Sequence, residues 1–259
     1  MTRAFVSLTM LALCPSAAAL AQRAVRPPQD DHAFADAARV AAVEYQNRNA
    51  AIRAGYRRVG VSFPSMGEHW IQARLVIRGT VDSTRPSLLS YVVVRGRPVL
   101  AGVGWVLTRD SASGMPMSPV PEWHEHHGTL AEASFGGMHG PSGSGVAVLH
   151  AWINVPNPAG AFKTDNWALP WVSAGLAPPA HPDPDAARAL SLVSDGPDYW
   201  QEWMRWRELD PGLLVPVTDS VRVLLAKEYS VTTLEPLLSS LWQHWAGQLG
   251  LPHGEMKGH

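Results

Sequence analysis

The segment PEWHEHHG, residues 121–128, contains three histidines and two glutamates within eight positions. In an extended segment, residues two apart point to the same side, so His124 and His126 could present both imidazoles to one cation. Imidazole is the commonest metal ligand in proteins, and Glu132 lies downstream as an oxygen donor. The segment therefore indicates either a metal site or an exposed histidine-rich loop.

A second candidate is His150, which lies between Leu149 and Ala151 in the apolar run GVAVLHAWIN. This run predicts a buried strand covered on both faces. A buried imidazole must satisfy its ring nitrogens, so it needs either a hydrogen-bonding group or a metal ion. We expect His150 to be a metal ligand or a hydrogen-bonded core histidine.

Two more histidines complete the candidate cluster. His69 follows Glu68 at a turn-to-strand junction, and His139 lies in a glycine-rich turn. Methionines recur beside the histidines, such as Met66 near His69 and Met138 before His139. Thioether and imidazole together suit copper, although methionine also fills irregular cores. We expect one divalent transition metal, with zinc favoured and copper as the alternative.

Several functions remain open for this cluster. In an enzyme, a metal-bound water with Glu68 or Glu132 as general base would suit hydrolysis. A metal-free structural or ligand-binding protein is the first alternative. The second is a cupin-like metalloenzyme, because His124-x-His126 and His150-x-x-x-Asn154 resemble the paired cupin motifs. The partner would be a small molecule of unknown identity.

The first 21 residues predict a signal peptide, because a short basic start is followed by an apolar stretch and an A-x-A motif at residues 19–21. Pro15 and Ser16 interrupt the apolar run, which argues against a stable membrane anchor. Cleavage would remove Cys14, the only cysteine. The metal site must then use His, Asp, Glu or Met, and we expect a periplasmic or secreted protein.

The charge balance argues against nucleic-acid binding. The 259 residues include 21 Lys and Arg and 22 Asp and Glu, a formal net charge of −1. Nucleic-acid binding needs a clustered basic surface. No run of Lys or Arg exceeds two residues. We therefore expect no nucleic-acid partner.

The elements that must position these residues follow from hydrophobic periodicity. One helix is predicted, capped by Asp30 or Asp31 and ending at Gly55, with apolar residues at helical spacing. Strands are predicted over 70–77, 88–94, 99–107 and 145–154, with a hairpin at 95–98 and a loop over 109–128. The apolar positions of the helix are Phe34, Ala38, Ala41, Tyr45 and Ile52.

The remainder of the chain predicts helices. A proline-rich linker near 177–185 precedes an aromatic stripe that ends before Asp210-Pro211. A last helix begins at the capping box Thr232-x-x-Glu235 and ends at Gly250. The aromatic stripe consists of Tyr199, Trp203 and Trp206.

Together these elements predict an α+β fold: an N-terminal helix packed on an antiparallel β-sheet, with a helical C-terminal segment. The predicted organisation is a signal peptide over 1–21, an α+β domain with the histidine cluster over 22–177, and a helical segment over 178–259.

Several segments also resemble a family of exported bacterial proteins of unassigned function, which share MGxHW and LHxWxxxPNPxGxF. The matching segments include MGEHW (66–70), FGGMHGP (135–141) and LHAWINVPNPAGAFKTDNWALP (149–170). The resemblance implies export and a shared fold, and it implies functional roles for His69 and His150. This chain departs from the family in having Asn166-Trp167 in place of Asn-Pro and in lacking a cysteine just beyond.

We predict that exported material begins at Gln22, because signal peptidase cleaves after the A-x-A motif. N-terminal sequencing of periplasmic or medium fractions measures this. An intact chain that starts at Met1 and stays in the cytoplasm would contradict the predicted export.

Overall fold

The centre of the fold is an antiparallel sheet of six strands, seen in a computed structural model that describes residues 31–108, 123–127, 145–196 and 225–250 apart from residue 226. The strands are β1 (Arg57–Phe63), β2 (Gly67–Ile71), β3 (Leu88–Val94), β4 (Arg97–Thr108), β5 (Trp123–His127) and β6 (Gly145–Ala151). Their order is β1-β2-β3-β4-β6-β5, so β6 lies inside the sheet and β5 forms one edge.

Helices precede, interrupt and follow this sheet, and the α+β class is confirmed. Among the described residues, no helix is both long enough and apolar enough to cross a membrane. The helices are α1 (Asp31–Ala41), a 3₁₀ turn (Val43–Gln46), α2 (Arg48–Arg53), α3 (Ala73–Arg78), α4 (Leu169–Ser173), α5 (Pro184–Asp195) and α6 (Val231–Leu249).

The N-terminal helix is not continuous, contrary to the prediction of one helix up to Gly55. Asn47 has an extended backbone and caps α2, because its side chain accepts a hydrogen bond from the Asn49 amide at 3.0 Å. This cap separates α2 from the preceding 3₁₀ turn. Gly55 follows α2 with a φ of 95°, the left-handed conformation expected after a helix end.

The segment after His69 also differs from its predicted strand over 70–77. The strand β2 ends at Ile71 and α3 follows. Gln72 caps this short helix, because its side-chain oxygen accepts from the Leu75 amide at 3.1 Å, and Gly79 ends it with a φ of 60°. The alternation of apolar and polar residues over 70–77 therefore predicted a strand where Gln72 caps a helix.

The predicted hairpin between β3 and β4 is confirmed. Arg95 and Gly96 form its turn with φ angles of 50° and 75°. Two successive positive φ angles match the right-handed twist of the paired strands. By contrast, the strand β1 was not predicted.

The HEHHG segment was predicted to be a loop, but residues 123–127 form the strand β5. Its backbone pairs with β6 from Trp123 opposite Leu149 to His127 opposite Gly145. Pairing with a strongly apolar neighbour provides hydrogen bonds that local composition does not reveal.

The two faces of the sheet belong to different hydrophobic clusters. One cluster combines alternate residues of the strands with buried residues of α1. The opposite face carries His69 and His150, with two smaller apolar clusters. The first cluster includes Ala35, Ala38, Leu89, Val103, Trp105 and Leu149.

The C-terminal helices pack with the β1–β2 turn. Trp245 of α6 donates from Nε1 to the Ser194 carbonyl at 2.7 Å, and His244 Nε2 is hydrogen-bonded to the Ser62 carbonyl at 2.7 Å. The helix α6 begins after Ser230, not at the predicted capping box, and ends at Gly250 as predicted. The predicted stripe of Tyr199, Trp203 and Trp206 lies outside the described residues.

Asp195, the last residue of α5, is hydrogen-bonded to the β1–β2 turn. Its carboxyl group accepts a hydrogen bond from the Ser65 amide at 2.9 Å and another from the Ser65 hydroxyl. Burial, with a smaller contribution from the negative charge of Asp165, raises the pKa of Asp195 to about 8. The folded protein therefore favours the protonated carboxyl group.

We predict that Asp195→Asn removes a pH dependence of stability. Because the folded pKa of about 8 exceeds the ordinary aspartate pKa of 3.8, this group stabilises the fold fully below the lower value, and the stabilisation is lost as pH rises through about 8. The free energy of unfolding of the wild type should fall relative to that of Asp195→Asn between pH 4.5 and 8.5, measured by urea denaturation.

The exposed Asp185, in the first turn of α5, provides a control. Asp185→Asn should retain the fall in stability of the wild type over the same pH range, because Asp195 is still present. A constant difference between the wild type and Asp195→Asn would show that Asp195 titrates alike in the folded and unfolded states.

Candidate functional site

Three of the predicted histidines lie on one face of the sheet, on three different strands. His69 is in β2, His150 in β6 and His124 in β5. Directly opposite residues of antiparallel strands share a face. His69 lies opposite Ser90, Ser90 opposite Gly102, and His150 opposite Gly104. We call this surface the histidine face, made of His69, Ser90, Gly102, Gly104, His124, His150 and Trp152.

The rings converge on His150. Its ring centroid lies 5.2 Å from that of His69 and 5.2 Å from that of His124. In a flat sheet, β2 and β6 would be roughly 14 Å apart, because three interstrand steps separate them. The sheet must therefore curl, with the histidine face on its concave side.

Two glycines of β4 make the close approach of these strands possible. A Cβ atom at Gly104 would lie 2.5 Å from the Leu149 carbonyl oxygen, and one at Gly102 would lie 2.8 Å from the Trp152 ring. Glycine inside a strand often marks such a close approach of backbone. The middle of the histidine face therefore has no side chains from β4 at these two positions, and the rings meet above it.

Burial differs between the residues of the site. His150 and Ser90 are fully buried, whereas His69 and His124 are partly exposed, although Nε2 of His69 and both ring nitrogens of His124 are buried. Apolar clusters flank this polar group, one including Val106 and Val148 of the sheet and the other including Trp152. Burial of polar groups among apolar ones is costly unless they are hydrogen-bonded or coordinate a metal ion.

Trp152 and Ser90 were not predicted as site residues. The Trp152 ring lies nearly parallel to that of His150, at 4° and 5.2 Å, and its Nε1 donates to the Lys163 carbonyl at 2.7 Å. The spacing H-x-W on a predicted strand is a signal that could have found Trp152, since residues two apart share a face. Ser90 depends on cross-strand pairing, which the sequence does not reveal.

Glu68, a predicted general base, is not brought together with the histidines. It lies on the opposite face, where its Oε2 accepts from Trp70 Nε1 at 3.2 Å and from Arg48 Nη1 at 3.5 Å. Arg58 approaches Oε1 at 3.8 Å. Consecutive strand residues point to opposite faces, so the neighbour of His69 cannot share its site. Glu68 has a structural role in this ion-pair cluster.

The remaining predicted site residues lie at or beyond the limits of the described chain. The backbone of His126 pairs with Val146 in the β5–β6 ladder. Glu132 and His139 lie outside the described residues. Within the described ranges, no group of three or more His, Cys, Asp or Glu side chains is arranged to hold a metal ion as it stands.

The cupin alternative finds no support in the described part of the fold. Cupins are jelly rolls of two sheets, whereas the described strands form one sheet in nearly sequential order. Asn154, the last residue of the H-x-x-x-N motif, donates from Nδ2 to the Leu100 carbonyl at 3.0 Å. Asn154 therefore has a structural contact next to the β3–β4 bulge.

No protein family model, curated protein or solved structure matches this chain. The resemblance of MGEHW and LHAWINVPNPAGAF to segments of exported bacterial proteins stays a prediction.

We predict that Gly104→Ala destabilises the fold and displaces His150. A Cβ there would meet backbone, which cannot move aside without shifting β6, and such overpacking costs about 1–3 kcal/mol. Urea denaturation measures the loss. Gly247→Ala, in α6 with nothing within 4 Å of the new Cβ, is the matched control and should be neutral or stabilising. Equal effects of the two changes would contradict a close approach at Gly104.

Proposed function

We propose that this chain is an exported protein that binds one divalent transition metal ion through His69, His124 and His150. The observation that carries the proposal is the position of the His150 ring, 5.2 Å from each of the other two imidazoles. A tetrahedral zinc ion with Zn–N bonds of about 2.0–2.1 Å holds the centroids of two imidazole ligands roughly 5 Å apart. The spacing of each of these two pairs therefore suits a shared ion.

Binding requires a limited adjustment of the side chains. The three rings do not form a closed site as they stand, but histidine χ2 is a broad torsion. Rotation of His69 and His124, which are partly exposed, would turn their nitrogens without moving the buried His150. The backbone positions, set by strand pairing, would stay the same.

Zinc remains the favoured ion in this proposal. Three neutral imidazoles and one open position make up a frequent catalytic zinc site. The copper alternative depends on methionine ligands, but Met66 packs with the helical cluster of Phe63 and Trp245. Met138, the other methionine named for copper, lies outside the described residues.

A metal-dependent hydrolase is the enzymatic form of the proposal. The ion would lower the pKa of a bound water and so supply a nucleophile at neutral pH. The protein's part would be to hold the ion between His69 and His150 and to exclude bulk water with the Trp152 ring. Because Glu68 lies on the opposite face, Glu132 is the remaining predicted base.

A second candidate is a metal-free structural or small-molecule-binding role. It is favoured by the nearly parallel rings of His124, His150 and Trp152, with interplanar angles of 9° and 4°. Offset packing of aromatic rings stabilises a fold without an ion. In this case the three histidines would act as a polar part of the core.

The two candidates differ in what His150→Ala does. For a metal ligand, the change should abolish most zinc binding in isothermal titration, and it should destabilise the zinc-loaded protein much more than the zinc-free protein, because an ion stabilises only the state that binds it. For a core histidine, it should cost about 2–4 kcal/mol with or without zinc.

His181→Ala is the matched control, since His181 is exposed and outside the site. It should leave zinc affinity and stability unchanged. Equal destabilisation of zinc-loaded and chelator-treated His150→Ala would reject the metal site. The protein for these measurements must carry no histidine tag.

A further inference from the structure

A buried hydroxyl lies next to the histidines with no hydrogen bond in the described structure. Ser90 in β3 is fully buried, and its Oγ has no partner among the described residues. Nearly all buried polar side chains are hydrogen-bonded, and one that is not lowers stability. The Ser90 hydroxyl therefore requires an explanation.

The position of Ser90 in the sheet explains why its hydroxyl could bind a ligand. It lies in one cross-strand row with His69 on one side and Gly102 on the other. Gly102 has no side chain, and the Trp152 ring lies over its position. Ser90 thus belongs to the concave face where the rings of His69 and His150 meet.

The strand changes its register immediately after this residue. The pairing of β3 with β4 shifts between Ser90 and Tyr91, so Ala101 is an extra residue opposite this point. Bulges of this kind often lie beside functional sites, where they change the direction of a side chain. Tyr91 on the other face instead hydrogen-bonds the Tyr45 carbonyl.

Charge determines which ligand this hydroxyl would bind. Three imidazoles are neutral donors, so a divalent ion bound by them would keep its full charge and attract an anion in a site of low dielectric. Glu68, which precedes His69 in the sequence, is on the opposite face and is paired with Arg48 and Arg58. A small ligand with an anionic oxygen fits this charge.

We propose that the Ser90 hydroxyl is a ligand-binding group that hydrogen-bonds a small oxyanion held between His69 and His150. This inference rests on the proposed metal function, because the ion supplies the charge that attracts the anion. Serine suits this role because its hydroxyl can both donate and accept a hydrogen bond.

The test compares Ser90→Ala with the wild type in three measurements: thermal unfolding of the metal-free protein, Zn²⁺ affinity by titration, and acetate affinity of the Co²⁺-loaded protein by visible absorption. Metal-free Ser90→Ala should be as stable as the wild type or more stable, because an unpaired buried hydroxyl is removed. Its Zn²⁺ affinity should stay within about threefold, and its acetate affinity should fall about tenfold, the effect of one hydrogen bond.

Ser87→Ala is the matched control. Ser87, which directly precedes β3, is also buried, and its Oγ accepts a hydrogen bond from the Val106 amide at 2.8 Å. This variant should lower the unfolding temperature and leave acetate affinity unchanged. A stability loss in metal-free Ser90→Ala as large as that in Ser87→Ala would overturn the inference, since the hydroxyl would then have a structural partner.

The remaining outcomes separate the inference from the function on which it rests. Zn²⁺ binding by the wild type with equal acetate affinity in Ser90→Ala overturns only the role of Ser90. Failure of the wild type to bind Zn²⁺ or Co²⁺ overturns the proposed function and this inference together.

Discussion

The close approach of β4 and β6 at Gly104 and Gly102 is the constraint on which the site depends. Side chains at these two positions would collide with the Leu149 carbonyl or the Trp152 ring. Their absence lets the sheet curl, so that His69 and His150 meet from strands that two others separate. The glycines thus connect the geometry of the backbone to the convergence of the imidazoles.

The sheet also separates two kinds of polar chemistry. The ion-pair cluster of Glu68, Arg48 and Arg58 lies on one face, and the imidazoles lie on the other. Arg48 additionally lies over the Trp70 ring at 5.5 Å, which holds this cluster at the edge of the main core. Consecutive residues of β2 therefore belong to different groups: Glu68 to the ion-pair cluster and His69 to the candidate site.

Much of the fold could be predicted from periodicity, and the site only in part. The β3–β4 hairpin, β6 and α6 have strong local signals, and the class followed from them. The strand β5 has no such local signal, because its hydrogen bonds come from a partner distant in sequence. His69, His124 and His150 could be nominated by residue type and strand position. Trp152 could have been found from the spacing H-x-W on the predicted strand. Ser90 could not, because its position on this face depends on the register between strands.

The position of β5 at the edge of the sheet affects how an ion or ligand would enter and leave the candidate site. Among the described residues, β5 pairs only with β6, and elements with fewer neighbours open at a lower free-energy cost than central strands. Its backbone amides should therefore exchange with deuterium before those of β4. Since His124 belongs to β5 and packs against the buried His150, fraying of this one strand uncovers the interior of the site while the hydrophobic core stays folded.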